Sequence, residues 1–408
     1  MDYFQYKQNE LFAEKVPLTE IAKKFKTPVY VYSKTTLLRH INAVKSVLKN
    51  TKTTICFAYK SNSNKHLLKI MKEKGLGADC VSLGELLLAK KIGVNPKKIV
   101  LNGNGKTDEE IKLAIKMNIK LINVDSIEEL LNISRIAKSL GKKPEIAFRL
   151  NPEIKVPTHP HIATGLKNSK FGIPLKHALE AYNLARKLKT VRVSGIHFHI
   201  GSQITEIAPF VESLKKILLF ARKLKKQKFS LKYINIGGGL GVRYKEEVPV
   251  TLKEYAEKTI PYLKKIAPET VLEPGRVLIA NTGILLAKVI LIKRTSKNFI
   301  VTDAGMNDLL RPSMYDAYHE ILPVRIFPER KREIFDIVGP ICESGDVLAK
   351  KRKLQTAYSG ELLAIKSAGA YGYTMSSNYN LRPKPAEVLV DGEKFYEIRP
   401  RQRMDEIL

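Results

Sequence analysis

From residue 54 onward, short apolar runs alternate with longer stretches in which apolar positions return every three or four residues. The short runs occupy 54–59, 78–81, 99–101, 121–124, 145–150, 193–200, 233–236 and 270–272, and they read as buried strands. Between them the helical period predicts helices over 83–92, 108–117, 127–139, 175–188, 208–226 and 252–266. Eight strands alternating with helices within about 220 residues predict a closed (β/α)8 barrel, an α/β fold of TIM type with its active site on the loops that follow the strands.

Beyond residue 277 the pattern changes. Short alternating runs at 285–292, 298–302, 332–338, 362–367, 386–390 and 394–398, with turn residues between them, predict a C-terminal antiparallel β domain. The first thirty residues give a helix over 18–25 and a strand over 28–32, and the pattern leaves open which sheet that strand joins.

Composition narrows this little. A chain of 408 residues, 44% of them hydrophobic, has room for one large domain and a smaller one. The net charge of +31 raises the question of a nucleic-acid surface, and Lys215, Lys216, Arg222, Lys223, Lys225, Lys226 and Lys228 form the densest run. That run interleaves with Leu214, Ile217, Leu218, Phe220, Ala221 and Leu224 at helical spacing and lacks interleaved aromatics, so its lysines read as the wet face of an amphipathic helix. No nucleic-acid partner is expected. The longest apolar stretch, 277–292, is broken by Asn281, Thr282 and Lys288 and is too short to span a bilayer, so no membrane association is expected. Three widely spaced cysteines, Cys56, Cys80 and Cys342, suit neither a disulfide framework nor a zinc site, and no leader pattern opens the chain. A cytoplasmic protein is expected.

The barrel assignment turns strand ends into a rim. Strand one ends on Lys60, where an apolar wall disfavours the charged amine and makes it a nucleophile toward an aldehyde, although a lysine there also serves simply as a strand cap. Strand two carries Asp79, strand five presents Arg149, and strand six brings His197 and His199 to one side by its two-residue alternation. Strand seven runs into Gly237, Gly238 and Gly239, and strand eight into Glu273, Pro274, Gly275 and Arg276.

Three consecutive glycines let backbone N–H groups converge on an anion, at the loops where barrels commonly bind phosphate, and Arg276 adds a forked cation. A tight turn without ligand explains the glycines equally well. An amine, an anion site and a carboxylate on one rim suit pyridoxal 5'-phosphate, with Glu273 at the ring nitrogen and His199 against the ring face. His197 and His199 lack a third metal ligand, so no metal is expected.

Several short motifs then recur in the order found in a known family. They are Ala58-Tyr-Lys60-Ser-Asn62, His199-Ile-Gly-Ser202-Gln203, the glycine triplet, Glu273-Pro-Gly-Arg276, Cys342-Glu343-Ser344-Gly345-Asp346 and Gly369-Ala-Tyr371-Gly372. In these the chain resembles the fold-type III, alanine racemase-like pyridoxal-phosphate decarboxylases, over nearly its whole length, and the resemblance implies a barrel over 34–279 and an antiparallel β-rich domain from 1–33 and 280–408 that completes the active site. His161-Ile-Ala-Thr164-Gly165, Lys170-Phe-Gly172, Arg311-Pro-Ser-Met-Tyr315 and Met375-Ser-Ser-Asn-Tyr379 make it similar to the branch acting on diaminopimelate.

The resemblance implies decarboxylation of meso-2,6-diaminopimelate to L-lysine and carbon dioxide, the last step of lysine biosynthesis. Sister enzymes acting on ornithine, arginine or carboxynorspermidine, and a non-catalytic cofactor carrier, are the alternatives. It also implies Lys60 as the aldehyde-binding lysine, His199 as the ring-stacking group, and Ser202, Gly237, Gly238, Gly239 and Arg276 around the phosphate. Asp79, Arg149, Glu273, Gly275 and Tyr371 complete the cofactor contacts. Arg276, Arg311, Tyr315, Glu343 and Tyr371 are implied for substrate, and Cys342 as a proton donor reaching the partner's site in a head-to-tail homodimer.

Overall fold

A computed structural model describes residues 2–156 and 169–408. Two compact units account for the chain: residues 42–241 with 248–275, and residues 1–41 with 242–247 and 276–408.

The first unit is a barrel of eight parallel strands: β1 (Thr53–Ala58), β2 (Gly77–Cys80), β3 (Ile99–Leu101), β4 (Leu121–Val124), β5 (Glu145–Asn151), β6 (Arg192–His197), β7 (Tyr233–Asn235) and β8 (Glu269–Leu272). Each pairs with its neighbours in chain order, and β8 closes on β1 through Val271 opposite Thr54. Helices start where a side-chain oxygen is ready to cap them. Ser82 accepts from the N–H of Glu85, Ser126 from that of Glu129 and Thr251 from that of Glu254, while Thr107 and Glu110 cap each other reciprocally. Cys56, Val100, Leu121, Ala147, Tyr233 and Val271, one from each of six strands, form a single buried cluster. Along Ala208–Lys226 the apolar stripe from Leu214 to Leu224 is buried and Lys215, Lys223, Lys225 and Lys226 are exposed, so the basic run is a solvated helix face.

β6 differs from its expected span. It stops at His197, where its last pairing is with Asn235 of β7; Phe198 still donates its N–H to the Asn235 carbonyl, but the chain then turns through Gly201 at φ +147°. His199 therefore stands on the loop, not on the strand.

The second unit is built on a large mixed sheet. Its strand order is Val347–Gln355, Arg332–Val338, Asn298–Thr302, Gly283–Arg294, Val29–Ser33, Ala386–Asp391 and Lys394–Arg399, with Leu362–Ile365 pairing to Gly283–Arg294 off this path and Ile321–Pro323 pairing to Leu362–Ile365. Most pairings are antiparallel, as expected, but two are parallel: Asn298–Thr302 with Arg332–Val338, and Val29–Ser33 with Ala386–Asp391. The open question about the N-terminal strand is thereby answered, since it sits at the centre of this sheet. Leu11, Leu18 and Ile21 pack with Val29, Val31, Ile284, Leu286, Val388 and Val390 in one core. Among the described residues no helix is long and apolar enough to cross a membrane.

Candidate active site

In the barrel, β1 ends at Ala58 and a single 3-10 turn, Tyr59–Ser61, carries Lys60. The lysine thus lies just past the strand rather than on it. The turn is pinned by Asn62 donating to the Tyr59 carbonyl at 3.0 Å and by the Ser61 hydroxyl donating to Ala58 at 2.7 Å. Lys60 Nζ stands 3.8 Å from Asp79 Oδ2; the lysine side chain is 42% exposed and the aspartate 1%.

Behind this pair lies a buried polar layer. Asn102 Nδ2 donates to Asp79 Oδ1 at 2.6 Å and to Glu273 Oε1 at 2.8 Å, so one amide bridges two carboxyl groups. Glu273 Oε1 also accepts from Asn235 at 2.5 Å and Asn123 at 3.5 Å. Burial alone would raise the Glu273 carboxyl, but His197 and the amides outweigh it and hold it down to about 2. Asp79 goes the other way, to about 7, through burial and then the Glu273 charge beside it. The two neighbouring carboxyls are thus pushed apart, Glu273 down and Asp79 up, the usual outcome for a close buried pair.

His197 faces this layer with Nε2 3.7 Å from Glu273 Oε2, and neither ring nitrogen has a hydrogen-bond partner among the described residues. His199 turns to the glycines, its Nδ1 accepting from the Gly238 N–H at 3.3 Å. Burial, then the Lys60 charge, keep the His199 ring well below its ordinary pKa and neutral.

The glycine triplet differs from a simple anion nest. The Gly237 N–H donates to Asn235 Oδ1 at 3.0 Å, so with Gly238 two of the three N–H groups are engaged within the protein. The glycines are required by close approach: a Cβ at Gly238 would lie 2.3 Å from the Glu273 carbonyl, and one at Gly237 2.7 Å from His199 Nδ1. The triplet lets the ends of β6, β7 and β8 meet, and it leaves bare backbone there. Gly275 approaches Ser61 in the same way, a Cβ there lying 3.1 Å from the Ser61 side chain.

Arg149 is buried at the end of β5, 3.9 Å from Asp125 and with its guanidinium 4.3 Å from the Phe171 ring. Gly172, in the Lys170-Phe-Gly172 motif, donates its N–H to Asp125 at 3.2 Å. Ser202 is half-buried on the loop after His199. The motif from His161 to Gly165 lies outside the described residues.

The second unit gathers a separate group. Arg276 and Arg311 are both buried, and Tyr244 lies between them: its hydroxyl accepts from Arg276 at 2.8 Å, and its ring centre is 4.5 Å from the Arg311 guanidinium. The Tyr371 ring lies 4.9 Å from the Arg276 guanidinium. Arg311 opens the short helix Arg311–Tyr315, which carries Tyr315, and Ser313 of that helix donates to the Gly345 carbonyl at 2.6 Å. That bond ties the helix to the loop bearing Cys342 and Glu343, both exposed. The loop is fixed from within by Asp346, which accepts the N–H of Met306 at 2.6 Å and of Ile341 at 2.7 Å. Cys342 is held by its own N–H donating to Asn380 at 2.9 Å.

A family model described as "Pyridoxal-dependent decarboxylase, pyridoxal binding domain" matches residues 34–280. The diaminopimelate decarboxylase of Aquifex aeolicus (strain VF5) is 46% identical over 408 residues, covering 100% of this chain and 96% of that protein. The chain belongs to the diaminopimelate decarboxylase family. The Haemophilus influenzae member is 45% identical over 409 residues, covering 100% of this chain and 98% of its own. Among solved structures, diaminopimelate decarboxylase from Helicobacter pylori complexed with L-lysine matches with a TM-score of 0.92 at 39% identity, covering 96% of this chain and 98% of that one. The M. jannaschii enzyme in co-complex with L-lysine matches with a TM-score of 0.93 at 41% identity, covering 100% of this chain and 96% of that one.

The barrel residues fit the family's cofactor, pyridoxal phosphate. An amine, a carboxylate held ionised by three amides, a neutral imidazole and bare glycine backbone are what an aldehyde, a ring nitrogen, a ring face and a phosphate would need. Sequence reasoning missed Asn102, Asn123, Asn235, Tyr244, His319 and the positions that Asp346 clasps. For the asparagines a signal existed: each is a lone amide within or at the end of an apolar strand run.

Proposed function

We propose that this chain decarboxylates meso-2,6-diaminopimelate to L-lysine and carbon dioxide with pyridoxal 5'-phosphate as cofactor. The observation that carries the reading is Lys60, at the end of the first strand of a closed barrel and 3.8 Å from a buried carboxyl paired to Glu273 through Asn102. Full-length identity of 46% to a diaminopimelate decarboxylase supports the substrate.

When bound, the cofactor supplies an electron-accepting ring that takes up the electron pair left as carbon dioxide departs. The chain's residues divide the remaining work. Lys60 would hold the aldehyde through its amine. Glu273, kept ionised, would serve the ring nitrogen and favour its protonated form. His199 would pack on the ring, and Gly237, Gly238, Gly239, Ser202 and Arg276 would hold the phosphate. Asp79, Arg149, Gly275 and Tyr371 would complete the cofactor contacts.

Arg311 offers a planar fork to a substrate carboxylate, with Arg276, Tyr315 and Tyr371 beside it, and Glu343 takes an ammonium. Cys342 delivers a proton to the substrate α-carbon. Its exposed loop supports a head-to-tail homodimer in which each Cys342 serves the partner's site. In this reading residues 34–279 bind the cofactor, residues 1–33 and 280–408 complete the site, and the enzyme works in the cytoplasm.

Purified protein supplied with cofactor and meso-diaminopimelate is expected to release carbon dioxide and lysine in equal amounts. Turnover of ornithine or arginine instead would move it to a sister activity. Cofactor binding without turnover of any of them would make it a carrier.

A further inference from the structure

Arg311 owes its geometry to a residue not so far assigned a role. Arg311 is 6% exposed as a residue, and no carboxylate among the described residues pairs with it. Its polar partner is His319, fully buried, whose Nε2 lies 2.8 Å from Arg311 Nη1.

The tautomer of His319 follows from the other nitrogen. Nδ1 lies 2.8 Å from the Lys366 carbonyl, which only accepts, so Nδ1 carries the proton. In the neutral ring Nε2 then offers a lone pair, which is what an arginine N–H requires. The ring is anchored, because Lys366 directly follows strand Leu362–Ile365 and donates its own N–H to the Glu320 carbonyl at 2.8 Å. Tyr244 closes the opposite side, its ring 5.4 Å from the imidazole and at 76° to it.

We infer that His319, as its Nδ1–H tautomer, is the positioning residue that aims the Arg311 fork, and so sets how tightly a substrate carboxylate is held. The inference rests on the proposed role of Arg311. Burial and the adjacent Arg311 push the His319 ring down to about 3, so no histidine titration from this residue should appear in KM between pH 5 and 9. The groups facing it are Arg311, Arg276, Tyr244, Lys366 and Arg352, whose Nη2 donates to the His319 carbonyl at 3.3 Å; burial and the three arginines disfavour a charged imidazole and outweigh the Lys366 carbonyl, which favours one.

Two near-isosteres separate positioning from simple packing. His319→Gln places an acceptor where Nε2 stood and gives up the Lys366 bond. His319→Asn keeps a donor toward Lys366 and gives up Arg311. With the holoenzyme and meso-diaminopimelate, H319N is expected to raise KM about 10- to 100-fold, the usual effect of losing a hydrogen bond to a charged group. Its kcat should stay within about threefold, because uniform binding is what is lost. H319Q should stay within about fivefold of wild type in both.

Arg311→Ala should raise KM by itself, and H319N added to it should raise KM no further. Equal KM effects from H319Q and H319N, or an H319N effect that multiplies with R311A, would overturn the inference and leave the function standing. A KM unchanged by R311A would overturn the proposed role of Arg311 and the inference with it. Should H319N fail to fold, as read by circular dichroism, the bond to Lys366 is insufficient for the core; wild-type-like KM in H319Q then supports the inference, and a raised KM with normal folding overturns it.

Discussion

Lys60 Nζ lies 3.8 Å from Asp79 Oδ2, an exposed amine beside a buried acid. Burial and the Glu273 charge raise Asp79 to about 7, which weakens the pull of its carboxyl on the Lys60 amine. Lys60→Ala is expected to abolish the visible absorption band that the lysine–cofactor linkage gives and to reduce activity to background. Spectra of wild type and variant at equal cofactor occupancy check this.

The same pair makes a pH prediction. The folded-state pKa of Asp79 is raised to about 7 from an ordinary 3.8, so the folded state holds its proton more tightly than the unfolded chain. Stability attributable to this residue is therefore present at low pH and lost as pH rises through about 7. Between pH 5 and 8 the cofactor-free protein is expected to lose about 1–3 kcal/mol from this source. Asp79→Asn should remove most of that slope in urea melts run across the range. Glu273 has the opposite sign: its pKa is lowered to about 2, so its contribution is present above pH 4.5 and disappears as the pH falls toward 2.

Cys342 is exposed, and its backbone is held by Asn380. Cys342→Ala is expected to leave cofactor affinity unchanged and to lower kcat by about 10²- to 10⁴-fold, the range for loss of a general acid. A mixture of K60A and C342A chains, each inactive, should regain activity in hybrids if the donor acts across a dimer. Activity that stays at the level of the separate variants rules out sharing between subunits.

Asp346 holds the Cys342 loop by accepting two backbone N–H groups, from Met306 and Ile341. Gly305 and Gly339 make room for it, since a Cβ at Gly339 would lie 2.4 Å from its carboxylate. Asp346→Ala leaves both N–H groups unsatisfied and should cost about 2–4 kcal/mol of stability, measured by denaturant titration. Alkylation of Cys342 by iodoacetamide should change rate in the same variant, whereas a loop indifferent to Asp346 would show neither effect.

The barrel was legible because its strands are continuous apolar runs and its helices carry caps and clean periods; Asp108–Met117, Ile127–Ser139 and Ala208–Lys226 have the bounds that the pattern predicts. Strand six was read too long because Phe198 and Ile200 continue the apolar alternation after the pairing with β7 has ended. Nothing local marks that end: it is set by how far Asn235 reaches before the glycines turn away. Lys60, His199 and Glu273 were singled out from motif and position, and the fold gives each a polar neighbour. Their supports were harder to read, because Asn102 and Asn235 acquire meaning only once strands far apart in sequence bring both amides to one carboxylate. His319 gave no signal at all, since its partners Arg311 and Lys366 are joined to it only by the fold.

Val29–Ser33 lies between Gly283–Arg294 and Ala386–Asp391, pairing with one antiparallel and with the other parallel. On a ribosome adding about 5–20 residues per second, that segment waits roughly 20–70 s for its second neighbour to be made. The barrel waits less, because its last strand, Glu269–Leu272, precedes both the Gly283–Arg294 and Ala386–Asp391 strands. During synthesis the barrel can close while an apolar N-terminal strand still hangs unpaired, and that strand is where a nascent-chain chaperone would be expected to hold.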